Sequence, residues 1–226
     1  MKKYFLLTIS FLFAPSIHTD DAPEIEYMAL KDCCRHGDLY MVKHYLEKGT
    51  HVNRLPDSWE EQRLEATPLY YACDRGHLAI AQELIKAGAH VDDPARDDLD
   101  TPLLITIYAL CRRHEPNAFD AYFSIVRLLI EHHADVRKGD KRGKTPLMEA
   151  VWGSYGLKDQ QLLVIQYLVD QGAPVNQTNS EGETALDYII KHQDYFQTLS
   201  AWYERHSEII QYLESKGAVR GSQLPK

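Results

Sequence analysis

The stretch from Thr67 to Asp92, TPLYYACDRGHLAIAQELIKAGAHVD, constrains the fold of this chain more than any other. Thr67 has the hydroxyl that caps a helix start, and Pro68 follows at the first helical position, where its missing N–H costs nothing. Leu69, Ala72, Cys73 and Gly76 recur at i, i+3, i+4 and i+7, which gives a first helix one apolar face of mostly small residues. Gly76-His77 reads as a turn. Leu78, Ala81, Leu84 and Ile85 then make the stripe of a second helix, and Gly88 supplies the left-handed conformation that ends it. A helix pair of this size cannot bury both of its faces alone, so it must stack on units like itself.

The unit recurs. Openings stand at Thr67-Pro68-Leu69, Thr101-Pro102-Leu103, Thr145-Pro146-Leu147 and Thr184-Ala185-Leu186, successively 34, 44 and 39 residues apart. Closings run from Leu46 to Gly49, Leu84 to Ala89, Leu129 to Ala134, Leu168 to Ala173 and Leu213 to Ala218. Four openings in register with five closings resemble the ankyrin repeat family, whose repeat of about 33 residues carries a T-P-L-H-x-A signature. The resemblance implies an all-α solenoid of about five helix–turn–helix repeats with β-hairpin or loop fingers. The repeats fall at about 23–55, 56–92, 93–137, 138–176 and 177–219, after a segment 1–16 and a short stretch 17–22. A polar tail, 220–226, suits an end cap with one solvated side. Tyr70, Leu104, Met148 and Asp187 replace the signature histidine, so its hydrogen-bond network is not carried over. His133 stands where a cap glycine belongs.

Repeats three to five depart from the pattern in one place. Extra residues separate their two helices, from Ile107 to Tyr122, Val151 to Leu162 and Ile190 to Ser207. Aromatics are frequent there, among them Tyr108, Phe119, Tyr122, Tyr155, Tyr195 and Trp202, and breakers are few. The extensions read as helices lengthened by a turn or two, with the rings packed from repeat to repeat rather than around a ligand pocket. The first finger is elongated too, with 13 residues between Asn53 and Thr67. Its Trp59 either folds back on the solenoid or anchors a partner.

The resemblance also implies that a partner protein docks on the fingers and on the concave face of the first helices. Carried over by register, the concave positions are Arg35 and His36, Asp74 and Arg75, Tyr108 and Ala109, Trp152 and Gly153, and Lys191 and His192. Exposed Trp and Tyr beside Arg are what interface hot spots are made of. Partner binding is therefore expected at Arg75, Tyr108, Trp152, Lys191 and His192, with Trp59. Neighbouring fingers are charged in opposite senses: Asp92, Asp93, Asp97, Asp98 and Asp100 face only Arg96, and the next carries Arg137, Lys138, Lys141, Arg142 and Lys144 against Asp140. The basic finger joins the expected surface, although mutual screening of the two fingers is the simpler account.

Ahead of the repeats, Lys2-Lys3 and the apolar run from Tyr4 to Ala14 read as an export signal. The run is too short to span a bilayer, Pro15 ends it, and Ala14 and Ser16 are small residues suited to cleavage. This reading places the protein in the periplasm or outside the cell, a monomer with no membrane insertion once the signal is gone. The chain carries a net charge of −8, and without residues 1–16 it would carry −10, from 23 Lys and Arg against 33 acids. Phosphate contacts need a basic surface, so nucleic acid is not expected as a partner. A basic protein suits the charge better.

Catalytic readings do not hold. Arg142-Gly143-Lys144-Thr145 resembles the end of a P-loop, but the leading glycine would have to occupy the position of Lys138. His132 and His133 are adjacent, so on a helix they point about 100° apart, and no third metal ligand is near. Cys33, Cys34 and Cys73 take the small alanine positions and Cys111 has no evident partner, so free buried thiols are expected. The sequence points to a protein-binding module with no enzymatic activity and no cofactor, either a periplasmic inhibitor or immunity-type protein or a secreted factor binding proteins of another cell. An enzyme or small-ligand binder built on the aromatic extensions is the weaker alternative. With the signal cleaved, natively expressed protein should begin near Ile17, which intact mass will show; an exported chain still starting at Met1 would overturn the reading.

Overall fold

A computed structural model describes residues 22–53, 66–95, 100–112, 118–153, 158–195 and 200–225. The export segment, Trp59, Tyr155 and Phe196 lie outside the described residues, as do the side chains at 22, 158–159, 192–195 and 200–205, which include His192, Tyr195 and Trp202. Ten α-helices fall in five pairs among the described residues. They are α1 (Ala22–His36) with α2 (Leu39–Glu47), α3 (Pro68–Asp74) with α4 (Leu78–Lys86), α5 (Pro102–Arg112) with α6 (Ala118–Glu131), α7 (Pro146–Trp152) with α8 (Lys158–Asp170), and α9 (Ala185–Tyr195) with α10 (Ser200–Ser215). Helices α1, α3, α5, α7 and α9 pack each on the next as an inner row, and α2, α4 and α6 line up behind them. The chain forms the expected all-α solenoid.

The repeated phrases do the work their chemistry implies. Thr67 and Thr145 cap α3 and α7, their hydroxyls accepting from Tyr70 and Met148 N–H at 3.3 Å. Thr101 accepts from Leu104 N–H at 3.2 Å. Such caps contribute about 1 kcal/mol each. Leu69, Ala72, Cys73, Leu103, Ile107, Leu147 and Ala150 are buried in the core. Each closing phrase then ties its repeat to the next. Asn53 donates to Gly88 O and accepts from His90 N, both at 2.9 Å, and Asn176 makes the same pair of bonds to Gly217 O and Val219 N at 2.9 and 2.8 Å. Asp92 accepts from Asp135 N at 3.0 Å in the equivalent place.

The fingers, expected as hairpins or loops, are loops among the described residues, and two other expectations need correction. Two of the fingers are closed by backbone and side chain together: Asp140 N donates to Lys144 O at 3.1 Å and Asn179 N to Glu183 O at 3.0 Å, while Asp140 Oδ1 accepts from Arg142 and Lys144 N–H at 2.8 Å and Asn179 Oδ1 from Glu181 and Glu183 N–H at 2.9 Å. Lengthening is real in α5, α6, α8, α9 and α10, with 11, 14, 13, 11 and 16 residues, but α7 keeps 7. Gln161 of α8 explains the stop, since its buried amide donates to Ala150, Val151 and Gly153 carbonyls at 3.0–3.2 Å and satisfies the end of α7 without another turn. All four cysteines are free, yet Cys33 is only half-buried, because the adjacent Cys34 takes the inward place. Burial, with Asp38 and Asp32 nearby, raises the Cys33 thiol to about 11, and burial raises Cys73 to about 12.

The aromatic extensions divide between roles. Tyr122 is 3% exposed, and its hydroxyl donates to Asp74 O at 2.9 Å. It lies against Gly76, where a Cβ would stand 2.9 Å from the ring. Leu110 is buried, but Tyr108 is 37% exposed. The tail is docked as well. Asp187 accepts from Thr184 N, Gly221 N and Arg220 Nε at 3.0, 2.7 and 3.0 Å, and Thr184 donates its hydroxyl to Val219 O at 2.9 Å.

Two stability predictions follow from these termini. His133 is left-handed at φ 69°, where other repeats close on Gly49, Gly88, Gly172 and Gly217. That backbone costs an L-residue about 1–2 kcal/mol. His133→Gly should therefore stabilise by about 1 kcal/mol in urea unfolding, and Gly88→Ala, with open space around its added Cβ, should destabilise comparably; unchanged midpoints would refute the strain. Burial pushes the Asp187 carboxyl up, but hydrogen bonds from Gly221, Thr184 and Arg220 together hold it below its ordinary 3.8. Its contribution is present above the unfolded pKa and lost as pH falls through the lower folded one. Below about pH 4, the Gly221 amide, which donates to Asp187 directly, should lose exchange protection before the inner helices, and Asp187→Asn should abolish this step; uniform loss along the chain would contradict the lock.

Candidate partner-docking groove

Positions four and seven residues after each opening threonine lie one helical turn apart on one face of an inner helix. They hold Tyr71 and Asp74 on α3, Ile105 and Tyr108 on α5, Glu149 and Trp152 on α7, and Tyr188 and Lys191 on α9. Where repeats three, four and five meet, this double row and the adjoining fingers enclose an open groove of about 670 Å³.

Trp152, the last residue of α7, is 39% exposed and meets Tyr188 edge-on, centroids 5.8 Å apart and planes at 77°. Tyr108 carries the Arg112 guanidinium 4.1 Å from its ring centre. Lys144 reaches in from the finger; its Nζ lies 5.9 Å from both the Trp152 and Tyr188 ring centres and pairs with the carboxylate of Glu149, whose side chain is 4% exposed. Lys191 pairs with Glu183, which also accepts from Asn179 Nδ2 at 3.0 Å. That amide donates to the Tyr188 hydroxyl at 3.1 Å, so ring and finger are held together. Gly143, at φ +75°, turns the finger, and Arg142 O accepts from Ser180 N at 2.8 Å, which fixes Lys141 and Arg142 on the groove rim.

Five of the ten expected residues meet here: Tyr108, Trp152, Lys141, Arg142 and Lys191. Arg75 does not. It sits at the end of α3 and pairs with Asp74 at 2.9 Å. Arg137 and Lys138 turn toward carboxylates instead, Arg137 to Asp135 at 3.1 Å and Lys138 to Asp92 at 3.3 Å. The hydrogen bond from Arg137 holds the Asp135 carboxyl below its usual range. The Lys138–Asp92 pair joins the basic finger to the acidic one, as mutual screening would. Ala109 is 4% exposed and packs inward rather than lining the concave face. Trp59 and the His192 side chain lie outside the described residues. Reading along the seventh position alone misses Glu149 and Tyr188, which the fourth position carries. Lys144 reads in sequence as one more finger charge, and only the fold brings it over the two rings.

Among the described residues, no three His, Cys, Asp or Glu side chains gather as metal ligands would, and no helix is long and apolar enough to cross a membrane. The groove's chemistry is that of aromatic faces bordered by paired charges, which suits recognition of another surface.

Comparison with known proteins agrees with the register. Residues 30–119 match the family described as ankyrin repeats (3 copies), and residues 142–180 match the ankyrin repeat. Similar proteins include the Mus musculus ankyrin repeat and SAM domain-containing protein 6, 29% identical over 154 residues that cover 68% of this chain and 15% of that protein. The Homo sapiens palmitoyltransferase ZDHHC17 is 30% identical over 182 residues, covering 65% of this chain and 25% of its own. Rabankyrin-5 of Mus musculus is 28% identical over 167 residues, covering 65% and 13%. The chain spans a quarter or less of the length of these curated relatives. A fifth helix pair beyond the matched stretches repeats the same threonine cap and the same asparagine link, so from α1 to α10 the chain belongs to the ankyrin repeat family, a protein-binding module.

Proposed function

We propose that this solenoid is an exported, non-enzymatic protein that docks a partner protein in the groove of repeats three to five, as a periplasmic inhibitor or immunity-type protein capping a basic enzyme. One observation carries the reading: two half-exposed rings, Tyr108 and Trp152, stand on neighbouring rigid helices with charged fingers beside them. Aromatic anchors dominate interface energies, and anchors already fixed on helices lose little freedom on binding. The net charge of −8 favours a basic partner and fast encounter with it. Export rests on the Lys2-Lys3 and apolar pattern of residues 1–16. The binding reading over an enzymatic one is supported by the carboxylates themselves: Glu149 is engaged by Lys144, Glu183 by Lys191, and Asp140 closes its own turn.

Against the partner captured from the native compartment, Trp152→Ala should cost about 2 kcal/mol or more in affinity with the unfolding midpoint kept. Charge reversal at Lys141 and Arg142 should slow association instead, an effect that fades as salt rises. Losses of equal size from Lys43→Ala and Glu47→Ala on α2, with neither groove change mattering, would move the docking face to the outer row. Fractionation of tagged protein tests retention: recovery from the periplasm supports the inhibitor, and recovery from the medium would make it a secreted factor.

A further inference from the structure

We infer that the groove takes its partner through an arginine or lysine side chain on a short extended segment, seated against Trp152 and Tyr188 within reach of the groove's carboxylates. The inference rests on the groove being the docking face. Aromatic faces carry negative potential and attract cations. The groove's rings already show this, with Arg112 over Tyr108 and Lys144 over both Trp152 and Tyr188. Glu149, Trp152 and Tyr188 therefore form a cation seat, and Lys144 is the cation now in it.

The seat is built on helices α7 and α9, whereas its occupant arrives from a finger. A lysine holds its charge on a flexible four-carbon stem, so Lys144 can give way without movement of the helices. Exchange of one cation for another keeps the buried Glu149 carboxylate compensated, which removing Lys144 alone would not. The surrounding charge has the matching sign. Asp100, Asp140, Glu149, Glu181 and Glu183 line the groove with Lys141, Arg142, Lys144 and Lys191, so its lining is net negative by one charge. At about 670 Å³ the groove lies within the range of about 300–1,000 Å³ that holds a few groups rather than a domain.

The test is selection of a displayed library of random dodecapeptides on the full chain, followed by sorting for peptides that bind the wild type and not Trp152→Ala. The sorted pool should carry Arg or Lys at one shared position, and replacing that residue by citrulline or by Gln should weaken a selected peptide by about tenfold. Lys144→Met, which keeps the stem and removes the charge, should bind the same peptide several-fold tighter, because the seat is vacated. A Trp152-dependent pool enriched in Asp and Glu, or in apolar residues alone, would overturn the cation seat and leave the docking face standing. A pool with no dependence on Trp152 would overturn both. Weaker binding by Lys144→Met with an unchanged unfolding midpoint would show Lys144 touching the partner itself and would remove the exchange.

Discussion

A repeat in this chain buries its faces only against its neighbours, so everything depends on the link that sets one repeat's register on the next. That link is an asparagine or aspartate four residues after the closing cap. Asn53 and Asn176 each bridge a carbonyl and an N–H of the following repeat, and Asp92 accepts the equivalent N–H. The bonds to Asp135 N and Val219 N are half-buried, where a polar group is costly unless satisfied, so a slip of one residue would orphan them. Repeat three breaks the rule, since Arg137 occupies the position. There Gln177 donates its amide to the Arg137 carbonyl at 3.0 Å, so the link runs in the other direction. Arg137 is thus a structural position whose side chain pairs locally, which explains why it takes no part in the groove.

What was legible in the sequence is what is local. Threonine caps, cap glycines and the small-residue faces act within one or two turns, and each element they mark is present. The length of α7 was not legible, because the group that ends it, Gln161, arrives from the next helix. The fingers were legible only as hairpin or loop. Their closure depends on Asp140 and Asn179, whose carboxylate and amide oxygens each accept two finger N–H groups while their own N–H groups donate to Lys144 O and Glu183 O. The groove was half legible: a helical register locates Tyr108 and Trp152, while the Lys144 contact joins a finger to two helices and has no periodic trace. Cys33 shows the same limit on a smaller scale, since two adjacent cysteines cannot both face inward.

The lengthened helices serve both core and surface, and position decides which. Tyr122, on an outer helix, reaches over the turn of the preceding repeat and fills the space that Gly76 leaves. Phe123 stacks on Phe119 and meets Tyr167 of the next outer helix edge-on, both at 5.5 Å between centroids. Tyr108, on an inner helix and two turns past its cap, has no neighbouring turn to cover and remains half-exposed. Wider repeats thus join the outer helices of repeats three and four through aromatic rings and leave the inner row with rings to offer.

The Lys144–Glu149 pair is best understood by where it sits. A nearly buried ion pair gains little net stability over an apolar replacement, because desolvation offsets the attraction. Placed in the core, it would only be a cost. Placed at the groove floor, under two rings and at the end of a finger, it fixes the finger over α7 and presents a charge pattern that an apolar surface could not. Glu149 is also the carbonyl neighbour of Cys111 on α5, whose thiol lies 3.9 Å from Glu149 O, so the carboxylate stands where the inner helices of repeats three and four are already in contact. Rigid support below and a charge carried on a flexible lysine stem above are the conditions under which a buried charge selects among partners rather than merely destabilising its own fold.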